Sequence, residues 1–145
     1  MKKTILSLVA ITAMSVSLSA TDYRAEKPAT WTAHTVPTAI EALYGKITPA
    51  EGEIKLKAPK VASSGGTIPV SVKTSIPAKS VAIFQTANPE ATVAVFTVVD
   101  GSPVDFGFKI KMKESGTITA IIEGTDGKFY SATYTLEVTK GGCEG

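Results

Sequence analysis

Phe106-Gly107-Phe108-Lys109-Ile110-Lys111-Met112-Lys113 is the stretch that decides the fold. In an extended chain Phe106, Phe108, Ile110 and Met112 fall on one side, and Lys109, Lys111 and Lys113 fall on the other. A period of two with one apolar and one charged face predicts a strand that buries one side and wets the other. The same period continues on both flanks. Upstream, Val93, Val95 and Thr97 interleave with Ala94, Phe96 and Val98, which is apolar on both faces and predicts a central strand. Asp100-Gly101-Ser102-Pro103 turns the chain between the two. Val81–Phe84 predicts a short strand closed by Asn88-Pro89. Ile68, Val70 and Val72 alternate with Pro69, Ser71 and Lys73, and the missing Pro69 donor predicts an edge strand or a bulge. Ser63-Ser64-Gly65-Gly66 is a turn, and Ile54-Lys55-Leu56-Lys57 alternates before it.

Downstream, Ser115-Gly116 turns into Thr117–Ile122, and Asp126-Gly127 is a hairpin signal. The last strand runs from Phe129 to Thr139, with Tyr130, Ala132, Tyr134, Leu136 and Val138 on one face. About seven strands, with turns about every 8–12 residues, predict an all-β, immunoglobulin-like antiparallel β-sandwich. The disulfide and strand tryptophan of antibody domains are absent, so the core rests on aliphatic and aromatic packing. One short helix precedes the sheets. Thr35 or Val36 stands near its cap and Pro37 near its first position, Ala39, Ile40, Leu43 and Tyr44 have helical spacing, and Gly45 is placed to stop it. Two turns do not stand alone in water, so this helix docks. Residues 21–36, with Trp31 and His34, read as an extended lead-in.

Residues 1–20 read as a secretory signal: Lys2 and Lys3, an apolar run from Ile5 to Val16, then small residues suited to cleavage after Ser19 or Ala20. The expected organisation is signal 1–20, lead-in and helix 21–50, sandwich 51–140 and a terminal arm 141–145. Without Lys2 and Lys3, thirteen basic residues face thirteen acidic ones. A net charge near zero argues against nucleic acid or an anionic membrane as partner. Export to an oxidising compartment, with the bacterial periplasm as the expected location, leaves a single cysteine to pair with another chain, carry an adduct or be captured by an oxidant.

Little else in the chain bears chemistry. His34 is far in sequence from Cys143 and reads as a solvated histidine. One cysteine and one histidine do not make a metal site, so no metal or cofactor is expected. Gly65-Gly66 lacks the lysine and helix of a phosphate loop. Asp100, Asp105, Glu114, Glu123 and Asp126 are scattered near turns rather than paired as acid and base. The Lys109, Lys111 and Lys113 stripe reads as a wet sheet face, with guidance of an anionic partner as the alternative. No catalytic residue is assigned. What remains is Gly141-Gly142-Cys143-Glu144-Gly145, a thiol among glycines that lack a Cβ and its constraints. Extended, Thr139 to Cys143 spans roughly 13–14 Å, enough to carry a small group into another protein's cleft.

The segment Phe129-Tyr130-Ser131-Ala132 through Glu137-Val138-Thr139-Lys140-Gly141-Gly142-Cys143-Glu144-Gly145 resembles SoxY, the cysteine-bearing subunit of the SoxYZ sulfur carrier of bacterial thiosulfate oxidation. Val81–Phe84 with Asn88-Pro89, and Ile110-Lys111-Met112 with Gly116-Thr117-Ile118-Thr119-Ala120, extend the resemblance, as do the exported start and the helix before a sandwich. It implies that Cys143 covalently carries sulfur intermediates and that Gly141, Gly142, Glu144 and Gly145 form the swinging arm. It also implies a SoxZ-type partner subunit. The enzymes it implies are a c-type cytochrome complex, SoxAX, a hydrolase, SoxB, and a sulfur dehydrogenase, SoxCD. The chain would then be a carrier and not an enzyme. Glu144 departs from the Gly-Gly-Cys-Gly-Gly ending typical of that family. Two other readings compete: an exported adhesion or assembly module dimerising through Cys143, and a thiol oxidoreductase needing a resolving thiol from elsewhere.

Overall fold

Three short helices and nine strands in two sheets make up residues 20–140, which are the residues described in the computed structural model. The helices are α1 (Tyr23–Glu26), α2 (Pro28–Thr32) and α3 (Val36–Tyr44). The strands are β1 (Ala50–Glu51), β2 (Ile54–Lys57), β3 (Val61–Ala62), β4 (Ile68–Thr74), β5 (Ala78–Gln85), β6 (Thr92–Thr97), β7 (Val104–Ile110), β8 (Gly116–Gly124) and β9 (Phe129–Val138). The larger sheet has the order β1-β9-β8-β5-β6, with β3 also on β9, and the smaller has the order β2-β4-β7. The expected β-sandwich is present. Seven of these strands form antiparallel ladders; β1 and β3 are two-residue pieces laid parallel along β9.

The main core lies between the sheets. Leu56, Ile68, Val70, Val72 and Ile110 come from the small sheet, and Val81, Ile83, Ile118, Ala120, Ile122 and Leu136 from the large one. Alternation along β4 is clean, with Ile68, Val70, Val72 and Thr74 inward and Pro69 and Lys73 exposed. A second core covers the other face of the large sheet. Ala82, Phe84 and Ile121 there meet Ala39 and Leu43 of α3.

α3 forms where expected. Thr35 caps it, its hydroxyl accepting from Thr38 N–H at 3.3 Å, and Gly45 at φ +77° ends it, its N–H donating to Glu41 C=O at 2.8 Å. Tyr44 closes the contact. Its ring lies 5.0 Å from that of Phe129 and its hydroxyl shares a 2.7 Å hydrogen bond with buried Ser80. Burial pushes the Tyr44 hydroxyl well above the ordinary phenol range.

Four expectations are corrected. The lead-in is helical rather than extended: Asp22 caps Arg24 and Ala25, Pro28 opens α2, and the Arg24 guanidinium stacks on Trp31 at 4.1 Å. β6 is an edge strand, not a central one; its apolar faces meet the inter-sheet core and the helix-side core, and among the described residues it pairs with β5 alone. β4 is the central strand of its sheet despite Pro69. β2 pairs with it only from Thr74 to Ser71, so at Pro69 the ladder runs to β7 alone and no donor is missed on that side. The fourth is one of degree: Phe106 and Phe108 face the main core with Ile110 and Met112 as expected, but are only half-buried, tilted against Phe96 at 5.2 and 5.6 Å.

Truncating the α3 anchor, Leu43→Ala, should lower unfolding free energy by about 2–4 kcal/mol, since Leu43 is 4 % exposed in a site the flanking β5 and β8 cannot collapse. Denaturant unfolding measures this; an unchanged midpoint would mean α3 is not part of the cooperative unit. The β8–β9 hairpin gives a pH test. The Tyr130 hydroxyl and Lys128 N–H donate to Asp126 at 2.7 and 2.9 Å and hold its carboxyl below the usual range, while the Tyr130 hydroxyl is raised by the same bond. A depressed carboxylate contributes above its unfolded pKa and stops contributing as acidification passes its folded value; a raised phenol contributes below its unfolded pKa and stops as pH rises through its folded value. Tyr130→Phe should therefore lower the Tm slightly at neutral pH, with the difference closing at both acid and strongly alkaline pH. A difference independent of pH would show that the bond is not its source.

Candidate functional site

β9 leads toward the predicted site, and its last residues are the described residues nearest to that site. Gly141, Gly142, Cys143, Glu144 and Gly145 lie outside the described residues, as does the predicted signal segment up to Ser19. The root is held from both sides. β8 pairs with β9 only as far as Leu136, opposite Gly116. Beyond that point β3 takes over in parallel register, Val61 with Glu137 and Ala62 with Val138. Glu137 N–H donates to Lys60 C=O at 2.9 Å and Thr139 N–H to Ala62 C=O at 3.0 Å. On the opposite side Val138 N–H donates to Ser115 Oγ at 2.9 Å. The Thr139 hydroxyl reaches the Ala62 and Ser63 carbonyls at 3.4 and 3.3 Å.

The last described carbonyl, that of Lys140, accepts from Gly65 N–H at 2.8 Å. Gly65 is buried, and its own carbonyl accepts from Met112 N–H at 2.9 Å. The 111–113 loop is anchored in turn. Asn88 Nδ2 donates to Lys111 C=O at 2.7 Å, and Lys113 N–H donates to Asn88 Oδ1 at 3.0 Å. Asn88 is placed by Gln85, which is 1 % exposed: its Oε1 accepts from Ala87 and Asn88 N–H, and its Nε2 donates to Glu90 C=O at 2.8 Å. A relay of hydrogen bonds therefore runs from the core end of β5, through two loops, to the residue before Gly141. Backbone groups that would otherwise fray at a strand end are satisfied one after another.

Sequence reasoning missed these supports. Ser63–Gly66 reads as a turn and Asn88-Pro89 as a strand closure, and both are so. Their second role needs the tertiary meeting of three loops, which no local pattern signals. The lysine stripe divides: Lys109 lies near the end of β7 on the exposed outer face of the small sheet, whereas Lys111 and Lys113 lie in the loop bonded to Gly65. His34 is exposed, and its Nδ1 donates to Pro89 C=O at 3.0 Å, which ties α3's approach to the same loop. The scattered acids stay scattered. Asp105 meets Lys73 at 2.9 Å, Glu114 lies 3.9 Å from Lys113, and Asp126 holds the hairpin. Among the described residues no group of three or more His, Cys, Asp or Glu gathers as a metal-binding cluster, and no helix is long and apolar enough to cross a membrane.

Residues 40–143 match the family model of the sulfur oxidation protein SoxY, a span that takes in Gly141, Gly142 and Cys143. Among solved structures the chain is similar to the sulfur carrier protein SoxY from Chlorobium limicola f thiosulfatophilum, with 32% identity over 72% of this chain and 96% of that one and a TM-score of 0.65. It is also similar to superoxide reductase (neelaredoxin) from Ignicoccus hospitalis, at 16% identity, 59% and 79% coverage and a TM-score of 0.53. A single-residue variant of that reductase gives 16% identity, 72% and 89% coverage and a TM-score of 0.55. At such identities these two likenesses show the fold alone. No curated protein sequence matches the chain.

Removing one support at the root, Ser115→Ala, should speed amide exchange at Val138 and Thr139 while lowering global stability by no more than about 1 kcal/mol. Exchange measured residue by residue checks this; unchanged protection at Val138 would show that Ser115 does not hold it.

Proposed function

The chain belongs to the SoxY family of sulfur oxidation proteins, and from that premise we propose that it is a covalent carrier whose Cys143 thiol holds thiosulfate-derived sulfur in the periplasm. The observation that supports this most is the position of the thiol. Cys143 follows by three residues a carbonyl that the fold pins in place, with only Gly141 and Gly142 between them and the sulfur. A carrier needs a nucleophile, reach and little bulk near the sulfur, and this spacing supplies all three. Tethering keeps the intermediate at high effective concentration for each enzyme in turn.

On this reading the chemistry is done by others. The Cys143 thiol and the outer sulfur of thiosulfate join as a disulfide-type S–S bond, with loss of one proton and two electrons to a c-type cytochrome complex of SoxAX type. A SoxB-type hydrolase then adds water to the terminal sulfonate. Sulfate and two protons leave, and a persulfide anion remains on Cys143. A SoxCD-type dehydrogenase then takes six electrons from that outer sulfur and passes them to a cytochrome-type acceptor; three waters supply the oxygens and release six protons, a sulfonate remains on the Cys143 sulfur, and a SoxZ-type subunit completes the carrier. The signal-like residues 1–20 support export to the compartment where these enzymes work. Glu144 adds a negative charge beside the thiol, which disfavours both thiolate and anionic adduct by an amount that solvent screens.

Incubation with thiosulfate and the cognate cytochrome complex should add one thiosulfate moiety to the intact mass, localised to Cys143. Cys143→Ser should abolish the increment and leave the Tm nearly unchanged. A confirmed free thiol that gains no adduct would contradict the carrier reading. A dominant disulfide homodimer in the same assay would favour the adhesion-module reading instead.

A further inference from the structure

The outer face of the small sheet is unusual for a chain so nearly neutral. It presents Lys55 and Lys57 from β2, Lys73 from β4 and Lys109 from β7, with Asp105 as the acidic residue among the described strands of this sheet. Asp105 is taken by Lys73 at 2.9 Å. Lys55 stands directly across the ladder from Lys73, a like-charge pairing that sheets ordinarily avoid. At the middle of this face lies Gly107, opposite Ser71, which is opposite Lys57. Gly107 is exposed and has no positive φ, and a Cβ added to it would meet nothing within 4 Å. Neither backbone conformation nor internal packing requires a glycine there, and glycine weakens a strand. The remaining reason for a bare strand position is close approach from outside. An open groove of about 550 Å³ runs over it, with Lys57, Pro69, Ser71, Gly107 and Lys109 on its walls.

This groove opens at the end of the sandwich from which the arm departs. Lys57 is three residues before Lys60, whose carbonyl holds Glu137, and Lys109 is three residues before Met112, which binds Gly65. The loops at that end add Lys60, Lys111, Lys113 and Lys140 against Glu90 and Glu114. The loops at the opposite end carry Glu53, Asp100 and Asp126 against Lys46 and Lys128. Among these described loops the positive excess lies at the root of the arm.

We propose that the Lys57–Gly107–Lys109 face is a docking surface for the acidic rim around the active-site mouth of an enzyme that receives the arm. The inference rests on the carrier reading and gives that reading its partner chemistry: a carboxylate-rich protein surface, flat enough to lie against Gly107. Charge steers the encounter, and the absence of a side chain at position 107 lets the two backbones approach. Docking here turns the arm root toward the partner, so the arm enters a cleft already positioned over it.

The test is binding without chemistry. Protein carrying Cys143→Ser is titrated with its cognate cytochrome complex and with its cognate hydrolase, at low and at moderate salt. The background is then combined with Lys57→Glu/Lys109→Glu, with Gly107→Leu, and with the opposite-end control Lys79→Glu/Lys128→Glu. The expected result is a Kd at least about tenfold weaker, for at least one enzyme, in both the double charge reversal and Gly107→Leu, with the control unchanged and the charge reversal losing its salt dependence. Gly107→Leu should melt no lower than its parent, which separates a lost surface from a lost fold. Equal affinities across all variants, no binding of the parent to either enzyme, or equal loss in the control would overturn the proposal. So would displacement of the enzyme by sodium sulfate at constant ionic strength, which would make the groove a small-anion site. Docking as expected in these variants, together with no adduct on Cys143 of the unmodified protein, would contradict the carrier reading and leave this surface standing.

Discussion

One buried glycine joins the two sheets where it matters. Gly65 donates to the Lys140 carbonyl and accepts from Met112 N–H, so the end of β9 in the large sheet and the loop after β7 in the small one share a single residue. Past its last antiparallel pairing, Leu136 with Gly116, β9 is held by β3 and Ser115 as far as Thr139, and the Gly65 link adds the Lys140 carbonyl. With it, the backbone groups of the described chain are bonded as far as the Lys140 carbonyl. A carrier needs a firm root for its arm, and these hydrogen bonds supply one.

The rest of the fold supports this junction. The small sheet and the helices cover the two faces of β5 and β8 through their middles, leaving Lys79 exposed and Thr117, Thr119 and Glu123 half-buried. Gln85 ends β5 inside that core and commits both ends of its amide to the 87–90 loop. Asn88 then reaches the 111–113 loop, which reaches Gly65. Each link in the relay is a neutral hydrogen bond, worth about 1 kcal/mol net when satisfied and more than that in cost if left buried and open. That asymmetry explains why a run of modest bonds can hold a strand end firmly.

Much of this was legible in the residues. Alternation found β4, β7 and β9, Asp126-Gly127 found the hairpin, and Thr35 and Gly45 bounded α3. What alternation could not do was rank strands within a sheet. β6 is apolar on both faces because helices and the other sheet cover it, and the same pattern would arise in a central strand. Pro69 argued for an edge, yet the short reach of β2 leaves it a place in the middle. β1 and β3 are too short to have a period, and their parallel pairing with β9 depends on where the chain returns. The lead-in helices are four and five residues long, below the length at which apolar spacing says anything. At the site, Cys143 and its glycines stood out by composition alone, whereas Gly65, Gln85, Asn88 and Ser115 act through tertiary contacts that leave no mark in the local pattern.

The central claim is that the fold holds the root of β9 through Lys140, and the carrier reading proposed from it requires an accessible thiol at Cys143. The most direct measurement is the rate of alkylation of Cys143 by iodoacetamide in the native protein, compared with the same protein unfolded in guanidinium at the same pH. The account predicts rates equal to within about twofold, because thiol reactivity follows access and thiolate fraction and neither should change on unfolding. A native thiol that reacts orders of magnitude more slowly, and only as the sheets open, would contradict it.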